Sequence, residues 1–387
     1  AINYGVYLQA FALQEKIKQY GYDASIIDYR KRTDETQNNR LTHIISKVIK
    51  NMKYYFSIKN IYSYFITKKL KKSKGFLKRA GDFQAFQEKY FQLTKLCNNY
   101  VDVMEIGKEF DACVCGSDQI WNPKYTNCNP IYFLKFIPPD KRIAYAPSIG
   151  IDYIPQELEA CFKEFVLEFK NLSVRETKGA SLIKDLTDIY PNVVVDPTFL
   201  FTYDEWGKIA TERLIADKYI LCYFLSHSKL HKFLLDEIQK YIKYKIVILP
   251  FTYEAYKCKK YNKYYASIQE FLSLVKYADF ILTDSFHGVA FSVNFNKDFY
   301  AIKRSDSANI LHSRIEDFLA KIKLKERIIT YKNMYAVKFD SIDYSEPNTL
   351  LEEWRNSSNN YLRNSLLNIV HKCEVHKCEV HKCEVYK

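Results

Sequence analysis

Apolar residues in this chain gather in short, nearly continuous runs, and the stretches between them carry helical spacing. "FDACVCGS" (110–117), "RIAYAPS" (142–148), "NLSVRE" (171–176) and "NVVVDPTF" (192–199) form one series, each ending in small or polar residues. "KYILCYFLS" (218–226), "KIVILP" (245–250) and "DFILTDS" (279–285) form a second, with the helical "KLHKFLLDEIQKYIKY" (229–244) between its first two members. Strands this uniformly apolar, alternating with helices, belong to parallel sheets covered on both faces. Two series predict an α/β protein of two Rossmann-like domains, with ligands where strand carboxyl ends meet. The expected division is 1–185, 186–345, a C-terminal helix over 346–370 and a tail over 371–387.

Local signals sharpen this. "LQAFALQEKIKQYG" (8–21) spaces Leu8, Phe11, Ala12 and Ile17 for a helix, ends it at Gly21, and leads to a strand in "ASIIDYR" (24–30). An apolar strand normally precedes such a helix, and none stands before Asn3, so the first strand of domain one is expected to be missing from the sequence. Ser267 and Glu270 form a capping-box pattern ahead of the stripe Ile268, Phe271, Leu272 and Val275. The strand at 279–283 then ends in a turn, and "HGVAFSVNF" (287–295) starts the next helix with Ser285 placed to cap it.

The net charge of +13 is local: residues 41–80 hold eleven Lys and Arg and no acidic residue, leaving about +2 for the rest. This segment reads as a basic helical insert, with a solvated lysine face or a surface for anionic lipid or polyanionic saccharide as its alternatives. No recognition motif accompanies the charge, so nucleic acid is not expected as a partner. No apolar run approaches the roughly 18 to 20 residues that span a bilayer. Of the ten cysteines, Cys113, Cys115 and Cys222 lie in strand-like runs and three more in the tail, and they read as reduced thiols of a cytoplasmic protein. The tail repeats "HKCEV" three times (371–385), but a period of five scatters His and Cys around a helix and across both faces of a strand. A structureless tail and no metal site are expected.

Candidate chemistry lies at strand ends. "TDSFHG" (283–288) puts Ser285, His287 and Gly288 at a helix N-terminus, where an anion and a proton-transfer group can meet; capping by Ser285 alone is the bland alternative. "GSDQIWN" (116–122) offers Gly116, Ser117, Asp118 and Gln119 for hydroxyl contacts, or a capped turn. Arg175 and Glu176 stand at another strand end, where the planar fork of Arg175 suits a carboxylate or phosphate, or the two make a plain ion pair.

With "NYGVYLQAFAL" (3–13), "RIAYAPSIG" (142–150), "SVRE" (173–176), "VVDPTFLF" (194–201) and "TDSFHGVAFS" (283–292), these pieces resemble the polysaccharide pyruvyl transferase family over roughly residues 3–325. The resemblance implies two Rossmann-like domains in a GT-B-like arrangement. It also implies transfer of pyruvate from phosphoenolpyruvate to two hydroxyls of a sugar in a cell-surface or exported polysaccharide precursor, giving a cyclic ketal and phosphate. On that pattern His287 is the acid/base, and Arg175 with the Ser285–Gly288 turn holds the donor. Arg314, in "NILHSRIEDFL" (309–319), adds a cation, and Asn3, Gly5 and Gln9 with residues 116–119 line the other wall. No cofactor is implied beyond the donor, the acceptor is expected to be lipid-linked, and residues 41–80 are expected to dock the protein at the inner membrane face. A glycosyltransferase using a nucleotide sugar, and a non-catalytic saccharide- or membrane-binding protein, remain as alternatives of the same fold.

Overall fold

The computed structural model describes residues 2–30, 73–303, 309–374 and 382–386. The basic insert expected at 41–80 therefore lies outside the described residues up to 72. Beyond it Ser73, whose hydroxyl accepts from the Phe76 amide, starts the helix Lys74–Tyr90.

Among the described residues twelve strands form two six-stranded sheets, and every pairing between them is parallel. In chain order they are β1 (Asp23–Ile26), β2 (Ala112–Cys115), β3 (Arg142–Ala144), β4 (Asn171–Val174), β5 (Asn192–Val193), β6 (Tyr219–Tyr223), β7 (Lys245–Leu249), β8 (Asn262–Lys263), β9 (Phe280–Thr283), β10 (Phe299–Ile302), β11 (Ile328–Ile329) and β12 (Lys382–Tyr386). The second sheet runs β11-β10-β9-β6-β7-β8. Counted along the chain this is 6-5-4-1-2-3, the Rossmann order, with its switch point between β6 and β9. Both strands are wholly buried, as uniformly apolar runs require.

The first sheet runs β1-β12-β2-β3-β4-β5, and isolated parallel bridges tie Ile26 to Leu93 and Tyr29 to Cys97 at its edge. Two expectations are corrected here. Part of the repeat tail is ordered: β12 pairs with β1 from Asp23↔Lys382 and with β2 from Cys383↔Ala112, filling the place where a Rossmann sheet needs its first strand. The period of five does not oppose this, because strand pairing uses backbone groups whatever the side chains do. The boundary after residue 185 is also displaced, because β5 pairs with β4 in the first sheet. The chain crosses between sheets only after Val193.

Packing joins the two halves directly. Tyr4, at the start of helix Tyr4–Gln19, stacks on Phe271 at 4.2 Å and donates to the Ala266 carbonyl at 2.7 Å. Arg79 donates to the Pro250 carbonyl at 2.8 Å with its guanidinium over the Phe251 ring. The helix Ser345–Glu374 returns to the first sheet: Trp354 Nε1 donates to the Val193 carbonyl, Ser358 Oγ accepts from the Val195 amide, and Tyr361 donates to the Ala144 carbonyl. One apolar cluster runs through both halves, from Leu8 and Val114 to Phe271 and Leu366. No described helix is long and apolar enough to cross a membrane.

Candidate active site

The turn after β9 forms as its sequence dictates. Ser267 and Glu270 close both halves of a capping box on helix Ile268–Lys276, which delivers the chain into β9; such a cap is worth about 1 kcal/mol. Thr283 Oγ1 then donates to the Tyr223 carbonyl at 2.7 Å and accepts from the Ser285 amide at 3.1 Å, tying the turn to the end of β6. Asp284 accepts from the Leu225 and Ser226 amides at 2.6 and 2.9 Å across the switch point. Ser285 caps helix Phe286–Asn294 by accepting from the Gly288 amide at 3.4 Å. A Cβ on Gly288 would stand 2.2 Å from Thr283 Oγ1, so only glycine lets the helix start this close to the strand.

His287 projects from this turn to the strand ends of the first half and is 6 % exposed. Its Nε2 lies 3.8 Å from Oδ2 of Asp196, an ion pair when the imidazole is protonated. Arg175, at the end of β4, donates through Nη1 to the same oxygen at 2.6 Å, and Ser117, after β2, donates to it through its hydroxyl at 2.8 Å. Oδ1 of Asp196 accepts from the amide and the hydroxyl of Thr198 at 3.0 and 2.8 Å. Burial alone would push this carboxyl up, but the His287 imidazole, the Arg175 guanidinium and the Thr198 amide hold it well below the usual carboxylate range. Burial works against the Arg175 charge, and the carboxylates of Asp196, Glu176 and Asp118 outweigh it and raise its pKa.

Phe286 gives this cluster an aromatic partner. The Arg175 guanidinium carbon lies 4.5 Å from the ring centroid and that of Arg314 5.9 Å, so one ring draws both cations to the turn. Glu176, also buried, accepts through Oε1 from the Ser148 hydroxyl and the Ile149 and Gly150 amides, all at 2.9–3.0 Å. It fixes the 148–150 loop, which in turn packs on Gln119 beside Gly150. The helix that starts after Glu176 has its first amide, at Thr177, capped from the second half by Asp317 at 2.9 Å.

His287, Arg175, Glu176, Ser117, Ser285, Gly288 and Arg314 thus come together, buried, where both sheets present their carboxyl ends. Gly116 lies buried beside them, and Asp118 adopts φ 74° with its carbonyl accepting from the Ser148 amide. Gln119 bonds to Asn122, Asn3 caps the Gly5 amide, and Gln9 donates back to the Val6 carbonyl in its own helix. Gly5 packs directly against the His287 ring. Asp196, the centre of the cluster, was not among the expected residues. Its readable signal is Asp-Pro directly after an apolar run, because Asp before Pro starts a turn by capping the amide two residues on. Among the polar atoms buried here with no hydrogen-bond partner are Nη2 of Arg175 and Nε2 of His287. An unpaired buried donor costs about 1–3 kcal/mol, so both call for an acceptor from outside the chain.

The family model for polysaccharide pyruvyl transferase matches residues 3–306. No curated protein matches the chain. Among solved structures, the chain is similar to a UDP-GlcNAc 2-epimerase from Neisseria meningitidis bound to UDP-GlcNAc, at 12% identity over 72% of this chain and 80% of that one, with TM-score 0.38. It is likewise similar to MnaA of S. aureus in complex with UDP, at 12% identity over 79% and 89% of the two chains, with TM-score 0.42.

Proposed function

The chain belongs to the polysaccharide pyruvyl transferase family, and on that premise we propose that it moves the pyruvyl group of phosphoenolpyruvate onto two hydroxyls of one sugar, making a cyclic ketal and releasing phosphate. The observation that carries the donor is that Arg175 Nη2 and His287 Nε2 are buried without a hydrogen-bond partner, in a cluster with Arg314. Phosphoenolpyruvate offers a carboxylate and a phosphate, and a guanidinium fork pairs with either.

His287 Nε2 donates its proton to the methylene carbon of the donor, whose π electrons form the new C–H bond and leave an oxocarbenium centre at C2. One sugar hydroxyl adds to C2, and its proton returns to the imidazole. The C–O bond to phosphate then breaks and the second hydroxyl adds. Of the two hydroxyl protons, one ends in the new methyl group and one on phosphate, so no net proton is consumed. Ser117, Asp118 and Gln119 face the acceptor in this scheme, with Asn3 and Gln9 behind them. The acceptor is a saccharide precursor on a lipid carrier. Residues 41–80 dock the protein to the anionic cytoplasmic face of the membrane, a role motivated by their charge alone.

The experiment is phosphate release from phosphoenolpyruvate in the presence of glycan acceptors. Release that depends on acceptor, with the pyruvate appearing in the glycan as an acid-labile ketal, is expected. Turnover of nucleotide sugars but not of phosphoenolpyruvate would overturn the proposal.

A further inference from the structure

The proposed reaction has two sugar hydroxyls to deprotonate, and His287 serves only the first. The imidazole gives its proton to the donor carbon and recovers one from that hydroxyl, so it is charged again when the second hydroxyl adds. A second proton acceptor is needed in the same crevice. We propose that Asp118 is that base, its carboxylate taking the proton of the second hydroxyl as that oxygen closes the ketal.

The other carboxylates around the cluster are committed. Asp196 has one oxygen engaged by Arg175 and Ser117 and the other by Thr198. Asp284 takes the Leu225 and Ser226 amides and the Ser226 hydroxyl, and Asp317 takes the Thr177 amide. Glu176 accepts through Oε1 from Ser148, Ile149 and Gly150, while its Oε2 is buried 3.8 Å from Arg175 Nε. Asp118 differs from all of them. It does not cap the turn that follows it, and among the described residues its carboxylate makes no hydrogen bond and no ion pair. It is half-buried, so a ligand can reach it, and its charge acts on the Arg175 guanidinium, which places it beside the donor's fork.

The backbone is held in an unusual shape at this residue. Asp118 has φ 74° and ψ −174°, a conformation essentially confined to glycine because a side chain strains it. Bonds on both sides keep it there: the Asp118 carbonyl accepts from the Ser148 amide at 2.8 Å, Ser117 donates to Asp196, and Gln119 accepts from Asn122. A side chain that neither caps nor pairs does nothing within the fold to offset that strain. A task in the crevice accounts for it.

The step balances. Once the C2–O bond to phosphate has broken, a lone pair of the second hydroxyl oxygen forms the bond to C2, its O–H bond breaks, and the proton goes to Asp118. The carboxyl passes that proton to the departing phosphate and is a carboxylate again, while His287 keeps the proton of the first hydroxyl for the next cycle.

This role for Asp118 rests on the proposed reaction, and one assay tells their failures apart. Phosphate release from phosphoenolpyruvate with a glycan acceptor is measured for the wild-type chain, Asp118→Asn and Asp118→Gly. Both variants are expected to lower kcat by about 10²–10⁴-fold, the worth of a general base, with little change in KM for phosphoenolpyruvate. Sodium formate is expected to restore part of the rate to Asp118→Gly, where a small carboxylate fits in place of the side chain, and none to Asp118→Asn. Asp118→Gly is also expected to unfold at a higher urea concentration than the wild-type chain, because glycine takes this backbone without strain. Lost turnover with gained stability is a combination that a merely structural residue does not give. Near-normal kcat in Asp118→Asn, or a less stable Asp118→Gly that formate does not rescue, overturns the role while the reaction stands. Wild-type turnover of nucleotide sugars but not of phosphoenolpyruvate removes the reaction and this role together.

Discussion

Gly5 and His287 come from opposite halves of the molecule and are packed so closely that a Cβ on Gly5 would lie 1.9 Å from the imidazole Nδ1 and 2.2 Å from its Cγ. Gly5→Ala must therefore displace the ring, while helix Tyr4–Gln19 gains a better helix former. The expected outcome is a fall in kcat of at least about 10²-fold, the scale of a 1 Å misplacement of a reacting group, with circular dichroism unchanged. Gly81→Ala is the control: nothing lies within 4 Å of a Cβ there, and it stands inside helix Lys74–Tyr90. It should leave turnover alone and stabilise the protein by about 0.5–1 kcal/mol in urea unfolding.

Arg175→Lys keeps the charge and loses the planar fork. Because Nη1 is committed to Asp196 and Nη2 is the atom left for a ligand, lysine's single ammonium cannot serve both. KM for phosphoenolpyruvate is expected to rise by about 10–100-fold, the worth of one charge-assisted bond, with a smaller change in kcat. A steady-state titration of the donor at saturating acceptor checks it; equal KM values would remove Arg175 from the donor site.

The fold was largely legible at its punctuation. Ser267 and Glu270 marked a helix start, Gly21 a helix end, and Ser285 a cap, because these signals act within four residues. Gly5 was read as part of an acceptor wall, whereas its absent side chain makes room for a ring 282 residues away in the chain. Asp196 carried only a turn signal, since its meaning depends on Arg175, Ser117 and His287 arriving from three other strand ends. Such relationships have no period or spacing to read.

Asp196 makes the fold sensitive to acid. Its carboxyl is held below the ordinary value in the folded protein, so it contributes stability above the ordinary carboxylate pKa of about 3.9, and that contribution is lost as pH falls below this toward the folded value. Asp196→Asn is expected to start about 3–5 kcal/mol less stable at pH 7, as when one partner of a buried pair is removed. It should then show a shallower loss between pH 5 and pH 2. Urea midpoints measured across that range decide it; parallel slopes would contradict the assignment.

A chain ended at residue 374 lacks β12 and leaves β1 and β2 without their shared neighbour. Hydrogen exchange at 23–26 and 112–115 is expected to speed up by orders of magnitude, while β6 and β9, paired to each other in the second sheet, stay protected. Unchanged protection of β1 and β2 would remove β12 from the sheet.

The bond from Asp317 to the Thr177 amide makes the start of one helix depend on the other half staying in place. A helix cap is worth about 1 kcal/mol, which is roughly a fivefold bias in population. That is too little to hold two bodies together and enough to tilt them. Because the capped helix begins one residue after Glu176 and two after Arg175, anything that parts the halves loosens the chain beside Arg175 in the same movement. Asp317 therefore couples the surroundings of Arg175 to the second half at an energy that ordinary thermal motion can still overcome.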